Sequence, residues 1–594
     1  MNLLPTPRSL HQRPGSFLLP AGDPLAVIQL ADATLAPNHP EGYTLTIAKS
    51  GISVACRTAA GLRAATATLQ QLLREYGHRL PCLKIRDWPD FARRGVMLDI
   101  SRGRVPRIET LLDLAEKLAG FKINELQLYT EHTFAYRQYP SIWRSWGALT
   151  ASEIRRLDAR CRELGIDLVP NQNSFGHLRY FLADPRLKPL AEIPGPYEAE
   201  TRDFLRRPTT LAPRHPGTLP FLRGLYDELL PNFSSRFLNV GCDETWDLGK
   251  GQSQRACAQR GKGQVYLDFL KQIHREVATR NRTIMFWGDI ILKYPNLIRQ
   301  LPQDVVALNW GYEANHPFAK EAAQFAQAGI PFYVCPGTST WQTLIGKHDN
   351  ALANLQAAAR VGKKFGAVGY LNTDWGDGGH PQPLAVSWPL YAVGAAFAWN
   401  AKGIPQPTLK AVLSRDIFED PSGKTAAAAI ALGHAHRKLG IKAVNETPLG
   451  TVIAAPPPVD LELFCRNGLK WAAKIPAKKI TATLEELERQ RREIQIPTPN
   501  PTGAGILALE LDLAARMAAE SCHFMLWQQA LAKGDSTETV RRAKRGVREL
   551  RQLSQDFEQY WSLRNKGTPK HCSPFLAWRI QDYLAGKNPL PTQP

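Results

Sequence analysis

The chain has 594 residues, 44% hydrophobic and 22% charged, enough apolar material for a full core; disordered, collagenous and disulfide-framework proteins are excluded. At about 150 residues per domain the length corresponds to about four domains, or to two or three if one is a barrel. The 74 basic and 54 acidic residues leave a net charge of +20 spread over the whole length; the modest cluster Arg541-Arg542-Ala543-Lys544-Arg545 reads as a solvated helix face, and no nucleic-acid partner is expected.

The N-terminus lacks the apolar stretch of a secretory signal, since Pro5, Pro7, Arg8 and His11 interrupt it. A cytoplasmic protein is expected, or a chain that begins after processing. Over residues 1–90, short strand-like runs (Tyr43 to Ile47, Ile52 to Ala55) accompany a helix predicted from Ala59 to Tyr76, which reads as a small α/β domain. Asp87-Trp88-Pro89-Asp90 then punctuates the chain.

Residues 91–400 change to apolar runs alternating with helical stretches. The runs are Arg94 to Ile100, Ile123 to Thr130, Ile166 to Gln172, Phe237 to Glu244, Thr283 to Asp289, Val305 to Gly311, Pro331 to Gly337 and Ala367 to Asp377. Eight such repeats predict a (β/α)8 TIM barrel, with an open doubly wound sheet as the alternative. The longest apolar run, Leu390 to Trp399, is bounded by Pro389 and Asn400 and is far shorter than the roughly 18 residues of a membrane span. No membrane partner is expected. Residues 401–594 read as a C-terminal helical domain, with proline-rich interruptions at 455–458 and 496–501, long helices over 506–531 and 537–563, and Trp527 and Trp561 as core residues.

The nine cysteines are scattered without a Cys-x-x-Cys pair and are expected to be reduced. Metal-protease, P-loop and dinucleotide signatures are absent, so neither cofactor nor metal is implied.

Residues able to do chemistry gather at the carboxyl ends of the runs. Asp99 and Arg102 lie at the end of the first, Tyr129, Glu131 and His132 at the second, Asn171, Gln172, Asn173 and His177 at the third, and Asp243-Glu244 at the fourth. The later runs end in Trp287 with Asp289, Asn309 with Trp310, then Trp341, then Asp374, Trp375 and Asp377. In a barrel all of these converge on one face, where catalytic groups lie. Carboxylates among tryptophans suit a pyranose, whose C–H face an indole covers and whose hydroxyls carboxylates bind. Adjacent carboxylates can hardly straddle a sugar as a two-carboxylate glycosidase requires. Substrate assistance resolves this: Glu244 protonates the departing oxygen, the substrate's 2-acetamido oxygen attacks the anomeric carbon, and Asp243 orients the acetamido N–H.

Asn239-x-Gly241-Cys242-Asp243-Glu244 resembles the signature of glycoside hydrolase family 20, the β-N-acetylhexosaminidases. Ile85-x-Asp87-x-Pro89-x-Phe91, Arg94-Gly95-x-Met97-Leu98-Asp99-x-Ser101-Arg102 and Lys122-Ile123-Asn124 are also similar to family segments, as is the leading domain. The resemblance implies that Arg94 binds ring hydroxyls, that Trp287, Trp310 and Trp375 box the acetamido group and sugar face, that Asp377 holds distal hydroxyls, and that His177 matches the family histidine. The chain departs from the pattern after strand two, where Tyr129-Thr130-Glu131-His132 replaces His-x-x-Asp; Glu131 and His132 are candidates for the site or for structural hydrogen bonds. It also lacks the family tyrosine after strand seven, for which Trp341, Tyr312 and Tyr333 are candidates. The expected substrate is an oligosaccharide or glycoconjugate with a terminal N-acetylhexosamine. Three rival functions are a sugar-binding protein that has lost catalysis, a basic scaffold that binds nucleic acid or another polyanion through the helical appendage, and a glycosidase for sugars without an acetamido group.

Overall fold

A computed structural model describes residues 1–195, 208–454, 475–496 and 503–586. The interruption expected at 455–458, residues 497–501 of the second, and Cys465 lie outside them. The N-terminal sheet comprises β1 (Ser9–Leu18), β2 (Ile28–Leu30), β3 (Tyr43–Ala48), β4 (Gly51–Cys56) and β5 (Arg79–Asp87), in the order β1-β5-β3-β4-β2. The helix Ala59–Tyr76 begins at Thr58, whose hydroxyl accepts from the Ala60 and Gly61 amides, and ends at Gly77 in the left-handed region. Its Ala65, Leu69 and Leu72 share a core with Leu45, Val54, Leu83 and Ile85 from the sheet.

Eight parallel strands complete the second sheet: β6 (Arg93–Asp99), β7 (Glu125–Tyr129), β8 (Asp167–Val169), β9 (Phe237–Asn239), β10 (Thr283–Trp287), β11 (Val306–Trp310), β12 (Phe332–Cys335) and β13 (Gly369–Asp374). Each pairs with its chain neighbour, and β6 also pairs with β13. Between β8 and β9 the ring is closed by the Asn239 amide donating to the Pro170 carbonyl and the Gln172 amide to the Asn239 carbonyl, both at 2.9 Å. The architecture is therefore the barrel and not the open sheet. Alternate residues point inward: Met97, Tyr129, Val169, Met285, Trp287, Leu308, Tyr333 and Leu371 fill the interior. Val96, Leu98, Leu126, Leu128, Ile284 and Phe286 join the larger core with the surrounding helices. None of the helices among the described residues is long and apolar enough to cross a membrane.

A buried carboxylate helps join the two domains at the amino ends of the strands. Asp87 Oδ2 accepts from Tyr43 Oη (3.1 Å), Lys122 Nζ (3.2 Å) and Trp399 Nε1 (3.0 Å). The C-terminal helices, chiefly Ala504–Ala532 and Ser536–Arg564, match those expected, with Trp527 and Trp561 in the core. They brace the loops at the opposite end. The Arg107 amide donates to the Arg564 carbonyl and the Lys566 amide to the Val105 carbonyl, both at 2.8 Å, while Ser573 Oγ reaches the Gly379 carbonyl at 2.8 Å. The Thr447 amide donates to the Gln342 carbonyl at 3.1 Å, and the Ala385 amide to Glu510 Oε2 at 2.8 Å.

Removing Asp87 strands the buried Lys122 ammonium. Asp87→Ala should lose about 3–5 kcal/mol of stability in chemical denaturation.

Candidate active site

β6 ends in Asp99, whose Oδ2 accepts from the Gly376 amide and from Arg102 Nη1, each at 2.9 Å, tying the loops after β6 and β13 together. Arg102 then reaches Asp377 Oδ1 at 3.3 Å and Glu131 Oε1 at 3.6 Å, with its guanidinium 4.9 Å from the Tyr129 ring centroid and 5.0 Å from that of Trp375. Burial works against its charge, but Tyr129, Asp99, Asp377 and Glu131 outweigh it and hold the guanidinium firmly protonated.

Arg94 does not join this group, which corrects the role expected for it. It lies near the amino end of β6, about 16 Å of extended chain from Asp99, and the strand alternation that turns Met97 inward turns Arg94 outward. There it donates to the carbonyls of Lys122 (3.0 Å) and Phe91 (2.8 Å), pairs with Glu41 and covers Trp399. The arginine at the mouth is Arg102.

The turn after β9 shapes the carboxylate pair. Gly241, Cys242 and Glu244 have φ of 67°, 70° and 45°, so the chain winds tightly between Asn239 and Trp246. A Cβ on Gly241 would lie 2.1 Å from Asn173 Oδ1, and one on Gly176 only 2.4 Å from the Asp243 carbonyl oxygen; both positions require glycine. Tyr266 donates to the Cys242 carbonyl at 2.9 Å, and the Trp287 amide to that of Gly241 at 2.9 Å. The turn is thus held from β10, from the loop after β8 and from the helix Lys262–Ala278.

His177, itself at φ 58°, meets both carboxylates. Its Nε2 is 3.2 Å from Asp243 Oδ2 and 3.4 Å from Glu244 Oε2, and its Nδ1 is 3.7 Å from Glu131 Oε1. Burial would lower its proton affinity, but Asp243 and Glu244 raise it well above the ordinary imidazole value. The pair is unequal: the Asp243 side chain is 8% exposed and that of Glu244 33%.

The expected tryptophans gather beside the pair. Trp287 and Trp375 have centroids 5.8 Å apart, and Tyr129 meets Trp375 edge-on at 4.7 Å. Trp310 stacks on Tyr312 at 5.2 Å, and Tyr312 also faces Trp341 at 5.1 Å and Trp375 at 6.3 Å. Of the candidates for the missing tyrosine, Tyr312 is in this wall, Trp341 is buried against it, and Tyr333 is at the other end, donating to Glu125 Oε2 at 2.9 Å. Glu131 belongs to the site. His132 instead stacks on Tyr180 at 3.8 Å, where burial and then Arg179 push its pKa well down. Trp246, 5.7 Å from His177, has no distinguishing signal in the sequence. Asp289 has one, its place two residues beyond Trp287, and its Oδ2 accepts the Glu244 amide at 3.4 Å.

Adjacent carboxylates, an imidazole and an aromatic wall at the mouth of a parallel barrel define a glycosidase-type site. Residues 91–348 match the catalytic domain of glycosyl hydrolase family 20 and residues 21–88 match its domain 2. With more than half its length matched, the chain belongs to glycosyl hydrolase family 20. It is similar to the β-hexosaminidase of Vibrio furnissii, 27% identical over 413 residues (57% of this chain, 64% of that protein), and to the lacto-N-biosidase of Bifidobacterium bifidum, 24% identical over 284 residues (46% and 24%). It spans less than two thirds of either. The fold is shared with a β-N-acetylhexosaminidase from Bacteroides fragilis (TM-score 0.56, 19% identity, 70% of this chain and 94% of that one) and with a chitobiase from Flavobacterium johnsoniae (TM-score 0.57, 17% identity, 92% and 96%).

The His177 imidazole should titrate by NMR well above the ordinary value of 6.5, and Asp243→Asn should lower its midpoint by about one unit or more. Because the folded value is raised, this ion pair stabilises the fold fully below about pH 6.5 and ceases to do so as pH rises through the folded value. Denaturation of His177→Gln should lack that alkaline decline.

Proposed function

We propose that this protein is a retaining exo-β-N-acetylhexosaminidase that removes terminal β-linked N-acetylglucosamine or N-acetylgalactosamine from oligosaccharides or glycoconjugates. One observation carries the reading: both carboxylates of a single dipeptide meet the same imidazole nitrogen, one enclosed and the other open to the mouth. The imidazole fills the gap between them, so a sugar ring cannot be flanked by this pair as a two-carboxylate mechanism needs. The nucleophile then comes from the substrate.

Glu244, the accessible group, gives its proton to the glycosidic oxygen as the bond to the anomeric carbon breaks. The acetamido oxygen closes on that carbon from the opposite face, and Asp243 accepts the acetamido N–H and offsets the positive charge of the oxazolinium ring. Water then opens the ring while Glu244 takes up its proton, and two inversions leave the anomeric configuration retained. Protonated His177 offsets the charge of Asp243 and, once Glu244 has given up its proton, that of Glu244 as well. Trp287, Trp310 and Trp375 support the acetamido group and the sugar face, Tyr312 donates to the acetamido oxygen, and Arg102 with Asp377 binds the remaining hydroxyls. The eight described cysteines are free thiols, the state a reducing compartment maintains, which supports a cytoplasmic setting.

An aryl N-acetyl-β-glucosaminide should be hydrolysed with the β-anomer of the free sugar released first, as followed by NMR. Glu244→Gln should lower kcat on substrates with poor leaving groups by about 10²–10⁴-fold, and Asp243→Asn should do likewise. If the protein only binds sugar, it turns over neither the gluco nor the galacto substrate, and a thiazoline mimic of the cyclised intermediate binds no more tightly than N-acetylglucosamine. Arg102→Ala should cost about 10²-fold in kcat/KM, since it removes charged hydrogen bonds of about 1.5–3 kcal/mol each, whereas Arg94→Ala should leave kcat/KM within about threefold.

A further inference from the structure

The Asp243–Glu244 turn is held by a third carboxylate that takes no part in the substrate-assisted mechanism. Asp289 lies just beyond β10, and its Oδ2 accepts the Glu244 amide at 3.4 Å. Its other oxygen, Oδ1, is enclosed and has no hydrogen-bond donor, and the same is true of Asp243 Oδ1. Glu244 is a non-glycine residue at φ 45°, a backbone conformation that persists only when its surroundings impose it. The amide bond to Asp289 is one such restraint on Glu244 itself.

We propose that Asp289 is a positioning residue for the acid pair: it anchors the left-handed turn that presents Glu244 to the mouth, and its own ionisation disturbs the pair it holds. This rests on the hexosaminidase reading of the site.

The groups facing Asp289 come from several elements. Asp243 and Glu244 approach from the turn after β9, with His177 bound to both on the far side. The Cys242 thiol and the Tyr266 hydroxyl are also neighbours, and Lys293 is the nearby cation. Burial first, then Asp243 and Glu244, push the Asp289 carboxyl up to about 8, with Lys293 and the Glu244 amide opposing only in part. Below that value Asp289 is a neutral acid with one O–H to donate, the kind of group the partnerless acceptor oxygens lack. Above it, Asp289 becomes a third negative charge beside the pair and loses that O–H.

Asp289→Asn keeps the shape and an oxygen that can accept the Glu244 amide but cannot ionise, whereas Asp289→Ala removes both functions. The test is kcat/KM for an aryl N-acetyl-β-glucosaminide between about pH 4 and about pH 9, with thermal midpoints of the same proteins over the same range. In Asp289→Asn the change in kcat/KM that wild type shows as Asp289 ionises near pH 8 should be absent, while plateau kcat stays within about threefold. Asp289→Ala should lose about tenfold or more at every pH. The thermal advantage of Asp289→Asn over wild type should widen from about pH 5 to about pH 8, because only the wild-type folded state must hold a proton that the unfolded chain releases. An Asn profile that overlays wild type, or one lowered equally at all pH, overturns the proposal, as does a thermal difference that is flat with pH. If wild type turns over neither the gluco nor the galacto substrate, the hexosaminidase reading fails instead, and the thermal series still judges Asp289.

Discussion

One imidazole held between the carboxylates of a single dipeptide is the contact on which the mouth of this barrel depends. Asp243 and Glu244 are neighbours in the chain, and in an extended strand their side chains would point to opposite faces. Three left-handed residues, Gly241, Cys242 and Glu244, turn them to a common side, where repulsion would separate them without a cation. His177 supplies that charge and extends it to Glu131, which in turn meets Arg102. An alternation of charges therefore runs from the acid pair to Asp377, at the other side of the loop after β13. Each member is buried or half-buried, so each needs its neighbours to remain charged.

Glycine has a specific part in this arrangement. At Gly176 the chain after β8 passes so close to the Asp243 carbonyl that no side chain fits, and Gly241 bears on Asn173 in the same way. The two turns fit into one another, and this interlock sets the distance from the imidazole to the carboxylates. Side-chain chemistry at the site is thus decided partly by positions that have no side chain.

Much of this is legible in residue order. The short apolar runs of the barrel strands, the capped helix Ala59–Tyr76 and the two long C-terminal helices carry strong patterns, and residues at the carboxyl ends of strands meet by geometry alone. β1 is harder to read: much of it is exposed and interrupted by Pro14-Gly15, so the apolar alternation that marks a strand is absent, and its partner β5 escapes notice with it. Arg94 is misplaced by its motif, because a motif match does not report which end of a strand a residue occupies or which face it takes. Counting along β6 from Asp99 supplies both, and gives Arg102 the better position. Trp246 and Tyr312 come together with the site only through loop paths, which no periodicity encodes, and the difference between Glu131 and His132 is a matter of which way two adjacent side chains turn.

The C-terminal helices grip the loops that carry Arg102, Trp341 and Asp377, through contacts such as Lys566 to Val105 and Ser573 to Gly379. These pairings link residues more than four hundred and nearly two hundred positions apart, respectively. During synthesis the eight strands emerge from the ribosome long before the segment that steadies their upper rim. The nascent barrel must therefore wait, its rim unsupported, until the segment spanning Ala504–Ala532 and Ser536–Arg564 has followed it, so competence lags well behind the closing of the strands.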